Sequence, residues 1–308
     1  MKPRGWAERF AEGAIRASAY TAILGLFLIF VFIGKEALPI LTSQKVRQEA
    51  GLSKLFIGQG EARSFSWQPV SGVPKYSLWP LIVGTLKVTL VAMLFALPLA
   101  LGAALFTSEF APNWLKEVVK PVIELLSGIP SVVLGFFALM IMADYVQQAL
   151  GVPYRLNTIN AGIALGLAVI PIVFTMADDA LTAVPKSFRE ASIAMGASSW
   201  QTASRVVFPA ALPGILAACI LGFGRAIGET MIVLMSSGNA AILSWSFIKP
   251  MRGLSATIAA ELGEVVVGSP HYHVLFFIGT ALFIFTFATN VFAGWVVAKL
   301  QRKVLGTS

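Results

Sequence analysis

Charge is what this chain has least of. Only 12% of its 308 residues are Asp, Glu, Lys or Arg, about half the share a soluble domain carries. Hydrophobic residues make up 57%, and the mean hydropathy is +0.80. That composition cannot cover the surface of a water-soluble globule, so a soluble enzyme of one or two domains is excluded, and so is disorder. Cysteine is nearly absent: Cys219 stands alone, so no internal disulfide can form. There are two histidines, His271 and His273, and no His-Glu-x-x-His pair. Alternating at a helix entrance, they read as interfacial residues, and no metal is expected. No Gly-x4-Gly-Lys-Ser/Thr loop exists to cradle nucleotide phosphates. Asp178 and Asp179 are adjacent, about 100° apart around a helix, so they cannot form a facing dyad and read as a helix end. An enzyme is not expected, nor a cofactor. Acidic residues are outnumbered by basic ones, 15 to 23, for a net charge of +8. The basic residues are scattered between apolar runs, which fits the ends of membrane spans and not a nucleic-acid surface.

What the chain does have is long apolar runs. A membrane-spanning helix needs about 20 such residues. Residues 17–34 carry no charge; residues 78–107 carry only Lys87, which would snorkel to the outer interface or extend an electropositive entry. Residues 125–143 follow Glu124 and are uncharged, as are 156–177. Residues 206–248 are interrupted only by Arg225 and Glu229 and are too long for one span. Ser236-Ser237-Gly238-Asn239 is the expected break. Residues 272–298 close a set of six helices. Pro98, Pro130 and Pro171 are expected to kink the second, third and fourth.

The first run is longer than a signal-peptide core and no Ala-x-Ala site follows, so it reads as a retained span. Before it, Trp6, Phe10 and Ala14 share a helical face, which suits a helix lying in the membrane interface over residues 1–16. The expected division is therefore an interfacial helix at 1–16, a first span within 17–42, an outer loop at 43–77, a membrane core at 78–300 and a tail at 301–308. With both termini in the cytoplasm, twelve Lys and Arg fall inside and eight outside, a weak positive-inside bias. Residues 254–267, with Glu261 and Glu264, are expected to form a short helix at the outer mouth.

Between the fourth and fifth spans, residues 185–209 are amphipathic. Ser187 precedes Glu190 by three residues and Ser198 precedes Gln201 by three, which is two capping boxes. Gly196 falls between them where a left-handed terminator is expected. The reading is helix, sharp turn, helix. Glu190-Ala191-Ser192, then Gly196, then Val206-x-Phe208-Pro209 resembles the EAA loop of bacterial ABC importer permeases, with Ser192, Val206 and Phe208 as mild departures. The resemblance implies an all-α, six-span type I importer permease (MetI-like) fold. It also implies that this loop, including Ser187, Arg189, Glu190, Ala191, Gly196 and Pro209, is cytoplasmic and docks on a separate ATP-hydrolysing dimer.

The fifth span holds the costliest residues. Taking Arg to mid-membrane costs roughly 2.5–3.5 kcal/mol on insertion scales. Arg225 and Glu229, at i and i+4 of one helix, would share a face, but Arg before Glu is the less favourable order. Gly224 and Gly228 form a small-x3-small step that permits close approach of a helix or leaves room for a ligand. Arg225 offers a planar fork suited to an oxyanion, and a carboxylate beside it favours a protonated oxyanion such as phosphate over sulfate. The alternative is a structural ion pair that locks helices.

Residues 224–231, Gly-Arg-Ala-Ile-Gly-Glu-Thr-Met, are similar to the signature of phosphate ABC permeases. Residues 124–135, including Glu124 and Ser131, resemble their third-helix motif, and 255–264 their outer segment. The resemblance runs from about residue 77 to the C-terminus. Thr230-Met231 after the carboxylate is closer to the C-type (PstC) than to the A-type (PstA) partner. What this implies is a permease subunit in the bacterial inner membrane, paired with a second permease and served by a periplasmic or extracellular phosphate-binding protein. An ABC permease for sulfate, molybdate or phosphonate, or an ATP-independent anion channel or carrier, are the other readings.

Overall fold

The computed structural model describes residues 6–57 and 65–305, with side chains over 10–57 and 65–299. Lys2, Arg4, Arg63 and the end of the tail therefore lie outside the described residues, as do the side chains of Trp6, Arg9, Arg302 and Lys303. The chain begins with α1 (Trp6–Ala37), followed by the short helices α2 (Pro39–Thr42), α3 (Gln44–Ala50) and α4 (Leu52–Phe56). A two-stranded antiparallel ribbon, β1 (Trp67–Gln68) and β2 (Lys75–Tyr76), pairs Trp67 with Tyr76. Then come α5 (Trp79–Glu109), α6 (Asn113–Ser127) and α7 (Ser131–Phe137). A π-helical turn, Ala138–Met142, leads from α7 into α8 (Ala143–Leu150). α9 (Thr158–Thr182) and α10 (Lys186–Ala194) follow. α11 (Ser199–Thr202) passes through a second π turn, Ala203–Val207, into α12 (Phe208–Gly228). α13 (Met231–Ser236), α14 (Leu254–Glu261) and α15 (Pro270–Leu305) complete the chain.

Among the described residues, six helical stretches are long and apolar enough to cross a membrane: Phe10–Thr42, Trp79–Glu109, Ser131–Leu150, Thr158–Thr182, Ser199–Gly228 and Pro270–Lys299. This is the six-span, all-α architecture read from the apolar runs. The core is the packing of α5 on α9 and of α9 on α12. Lipid tails are as apolar as leucine, so helices associate in a membrane through close packing of small residues. Ala92, Ala96, Ala100 and Ala104 recur every fourth residue on α5, all fully buried. Opposite them, Gly162 and Gly166 of α9 receive Val91 and Phe95. A Cβ at Gly162 would stand 2.4 Å from Val91 Cγ1, and one at Gly166 2.7 Å from Phe95 Cδ1. Gly222 of α12 receives Val173 of α9 in the same way, at 2.6 Å. α1 lies outside this core against α15, where Phe30 meets Phe283 and Phe32 meets Phe276.

Four expectations are corrected. The N-terminal segment is not a separate interfacial helix: from Trp6 it is continuous with the first span, because no Gly-Pro or Pro break separates the two. The third span starts at Ser131, not at 125. Residues 125–127 end α6, an amphipathic helix with no buried residue, whose charges Lys116, Glu117, Lys120 and Glu124 bar it from the hydrocarbon layer. Pro130 is the N-cap of α7 and sets its start, and it does not kink a helix. The fifth span breaks at Glu229, seven residues before the Ser-Ser-Gly-Asn stretch. Pro98 and Pro171 do lie inside the continuous helices α5 and α9.

The packing makes a prediction. Gly166→Leu forces a side chain into Phe95 and the Ala92 carbonyl, and overpacking of this kind costs about 1–3 kcal/mol. Thermal unfolding of the detergent-solubilised protein should fall for Gly166→Leu and stay unchanged for Gly102→Leu, where nothing stands within 4 Å. Equal midpoints would show that the α5–α9 contact is not a close one.

Candidate functional site

Two intramembrane charges, Arg225 and Glu229, meet at the break in the fifth span. α12 ends at Gly228, and Glu229 turns out of it in an extended conformation, φ −68° and ψ 133°. Thr230 then caps α13. Arg225 Nη1 lies 3.4 Å from Glu229 Oε2. The ion pair therefore exists, but not along one helical face as the i, i+4 spacing implied. The break also accounts for the order of the charges. Arg225 sits in the last turn of α12, where the helix dipole favours a cation. Glu229 stands just before the first turn of α13, where an anion is favoured. Arg before Glu is unfavourable within one helix and favourable across two.

The two partners differ in environment. The Arg225 side chain is 50% exposed and that of Glu229 4%. Around them the chain leaves space: a Cβ on Gly228 would meet nothing within 4 Å, and one on Gly224 only the Asn290 amide oxygen at 3.9 Å. Gly224 and Gly228 thus leave room beside the charges, while the close helix contact falls to Gly222. Backbone groups freed by the break find partners. Ser255 Oγ donates to the Glu229 carbonyl at 2.7 Å, and Thr230 Oγ1 to the Gly228 carbonyl at 3.3 Å. The Ser255 segment is itself held on α5, where Thr85 Oγ1 accepts from the Leu254 amide at 2.9 Å and Gly84 admits the Arg252 backbone.

The other candidate residues lie apart. Lys87 neither snorkels nor reaches the break: it is buried, and its ammonium donates to the Ser246 carbonyl at 2.9 Å. Glu124 is exposed on α6 and Ser131 opens α7. Among the described residues, neither pairs with Arg225 or Glu229.

Residues 185–209 form the hairpin read from the sequence, α10 then α11, turning at Gly196 with φ +83°. The Ser198–Gln201 capping box is complete. The Ser187–Glu190 box does not form, because Pro185 occupies the N-cap and places Ser187 two positions inside the helix. Glu190 and Ala191 are exposed, and Pro209 opens α12. Arg189 is not free to meet a partner. Its Nε and Nη2 donate to the two carboxylate oxygens of Glu109 at 3.1 and 2.7 Å. Nη1 and Nη2 also donate to the Val184 and Leu181 carbonyls. This fork ties α10 to the ends of α5 and α9. The Glu109 hydrogen bonds raise the Arg189 guanidinium above its ordinary pKa against the opposing effect of burial.

At the opposite end of the bundle, Glu261 joins four segments. It accepts from Trp67 Nε1, lies 2.5 Å from Arg252 Nη1 and 2.9 Å from His271 Nε2. Burial works against its ionisation, but the His271 and Trp67 hydrogen bonds and the Arg252 charge outweigh it and hold Glu261 below the usual carboxylate range. The histidines are thus part of the fold: His273 Nδ1 bonds the Glu36 carbonyl at 2.7 Å. Sequence reasoning missed Glu109, Asp178–Lys120 and Asn160, whose amide reaches the Ser236 carbonyl at 3.0 Å. Their partners are 58 or more positions away, and spacing carries no signal at that range.

A six-span bundle with a broken, charged fifth helix and a clamped amphipathic hairpin defines a membrane transport permease. Residues 96–306 match the family described as the binding-protein-dependent transport system inner membrane component, and the chain belongs to that family. A probable ABC transporter permease protein YqgH of Bacillus subtilis is 38% identical over 73% of this chain and 72% of its own. The phosphate transport system permease protein PstC of Xylella fastidiosa strain Temecula1 is 35% identical over 78% of this chain and 79% of its own. In fold, the chain is similar to the inward-facing MetNI methionine ABC transporter, with a TM-score of 0.57 at 21% identity over 72% of this chain and 97% of the other. It is also similar to a bacterial ABC transporter that imports alginate, with a TM-score of 0.57 at 16% identity over 98% and 99%.

Arg189→Gln removes the fork and leaves Glu109 with the Ser108 hydroxyl as its remaining hydrogen-bond partner. Hydrogen bonds to charged groups contribute about 1.5–3 kcal/mol, so amide exchange across residues 186–202 should speed up at least tenfold, with the α5–α9 core unchanged. Arg189→Lys should fall between. Unaltered exchange in the hairpin would contradict the clamp.

Proposed function

We propose that this chain is the PstC-type permease subunit of an ATP-driven importer of inorganic phosphate. The observation that carries the reading is Arg225: a half-exposed guanidinium at a helix break within a membrane span, 3.4 Å from a buried carboxylate. An exposed cation at that depth requires water, an anion or a partner protein. The open space beside Gly228 supports an ion path there, and the PstC relatives support phosphate as the ion.

The chemistry follows from the pair. The planar fork of Arg225 grips two oxygens of an oxyanion. Glu229 repels a fully ionised anion but accepts a hydrogen bond from a protonated one. Phosphate keeps at least one proton near neutral pH and sulfate keeps none, so the pair admits the first and rejects the second. Gly224, Gly228 and Thr230 border this passage. A second permease of the PstA type covers the open face of the fifth span. The hairpin end of the bundle is cytoplasmic, with both termini, and Glu190 and Ala191 dock on a dimer of ATP-binding subunits. A phosphate-binding protein delivers its load at the Glu261 end. The protein resides in the bacterial inner membrane, surrounded by lipid.

Reconstitution with the partner subunits tests this. Arg225→Ala should reduce ATP-dependent phosphate uptake by at least 100-fold while the subunits still co-purify. Glu229→Gln should let sulfate compete for uptake. Normal uptake by Arg225→Ala, or transport without any ATPase subunit, would overturn the reading; preferential uptake of another oxyanion would overturn the phosphate assignment.

A further inference from the structure

A second polar site lies at the hairpin end, between α6, the end of α9 and α10. It is a cavity of about 410 Å³ lined by Lys116, Lys120, Lys186 and Arg189 with Asp178 and Glu190. A water occupies about 30 Å³, so the space holds a small anion with part of its hydration shell. Arg189 is held by Glu109 and two carbonyls, but the lysines are only partly committed. Lys116 gives one hydrogen bond to the Ser108 carbonyl at 2.8 Å, and Lys120 pairs with Asp178 Oδ2 at 2.5 Å. Each ammonium has three donors, so two remain on each. Lys186 is exposed and makes no ion pair among the described residues.

Asp178 is the informative member. It is 2% exposed, and its second oxygen, Oδ1, is buried with no hydrogen-bond partner. A buried acceptor left unsatisfied is destabilising. It calls for a ligand that brings a donor, while the lysines call for one that brings negative oxygens. Hydrogen phosphate has both on one small ion, whereas neither sulfate nor the phosphate of a lipid phosphodiester carries a proton.

We propose that this cavity is a second hydrogen-phosphate site, on the hairpin side of the membrane. Lys116, Lys120 and Lys186 hold the anionic oxygens, and the P–OH group donates a hydrogen bond to Asp178 Oδ1. The proposal rests on the phosphate reading above. It extends that reading by giving the imported ion a resting place beside α10, the helix that carries Glu190.

The test uses the full permease–ATPase assembly in phosphatidylcholine nanodiscs, without nucleotide or binding protein, in an Arg225→Ala background that removes the mid-membrane site. Equilibrium binding of radiolabelled phosphate should persist, weaken about tenfold with Lys186→Gln, and become open to competition by sulfate with Asp178→Asn. Lys186 is exposed, so its variant stays informative if Asp178→Asn fails to fold. Binding that Lys186→Gln leaves unchanged, or that is missing altogether, overturns the proposal. So does phosphate binding abolished when phosphatidylglycerol enters the discs, which would give the cavity to a lipid headgroup. Uptake by the wild-type assembly, measured in parallel, separates the two claims: loss of phosphate uptake there overturns the phosphate reading, whatever the cavity binds.

Discussion

A guanidinium cannot rest in hydrocarbon with nothing to receive its hydrogen bonds, and this fold is arranged around that constraint. Arg225 lies in the fifth span, where the cost of its charge is several kcal/mol. A continuous helix would place it and Glu229 in the unfavourable order. Ending α12 at Gly228 and restarting at Met231 turns the same two residues into a cation at one helix end and an anion before the next. The interruption frees backbone groups that lipid cannot satisfy. The first turn of α14 supplies a partner through Ser255 and is itself pinned to α5 through Thr85.

The same helices connect this break to the hairpin. α11 runs through a π turn into α12, so one arm of the hairpin is continuous with the helix that ends at Arg225. The other arm is fixed by Arg189 to Glu109 on α5 and to the last carbonyls of α9. α5 and α9 are in turn closely packed through Gly162 and Gly166. Packed interfaces of this kind shift as bodies and do not deform continuously. In the proposed importer, a push on the hairpin is delivered to α12 along its axis and to the α5–α9 pair through the Arg189 fork.

Much of this was legible in the sequence because it depends on run length and local chemistry. Six apolar runs gave six spans, and Gly196 with Ser198 and Gln201 gave the turn of the hairpin. What misled was geometry that local spacing cannot separate. Arg225 and Glu229 are four apart in a continuous helix and in a broken one. An apolar run from 125 to 143 hides the boundary that Pro130 sets between α6 and α7. Ser187 and Glu190 have the spacing of a capping box, but Pro185 takes the cap. The Arg189–Glu109 fork spans 80 positions, the Trp67–Glu261 bond 194. Only the folded chain brings such partners together.

The central claim is that the open face beside Arg225 borders a water-filled ion path and not lipid. A single thiol at Gly228, in a Cys219→Ser background, reports this directly in the reconstituted assembly. The account predicts that a charged, membrane-impermeant thiol reagent labels Gly228→Cys, and that phosphate slows the labelling. Labelling by membrane-permeant reagents alone, indifferent to phosphate, would place that face in lipid and contradict the account.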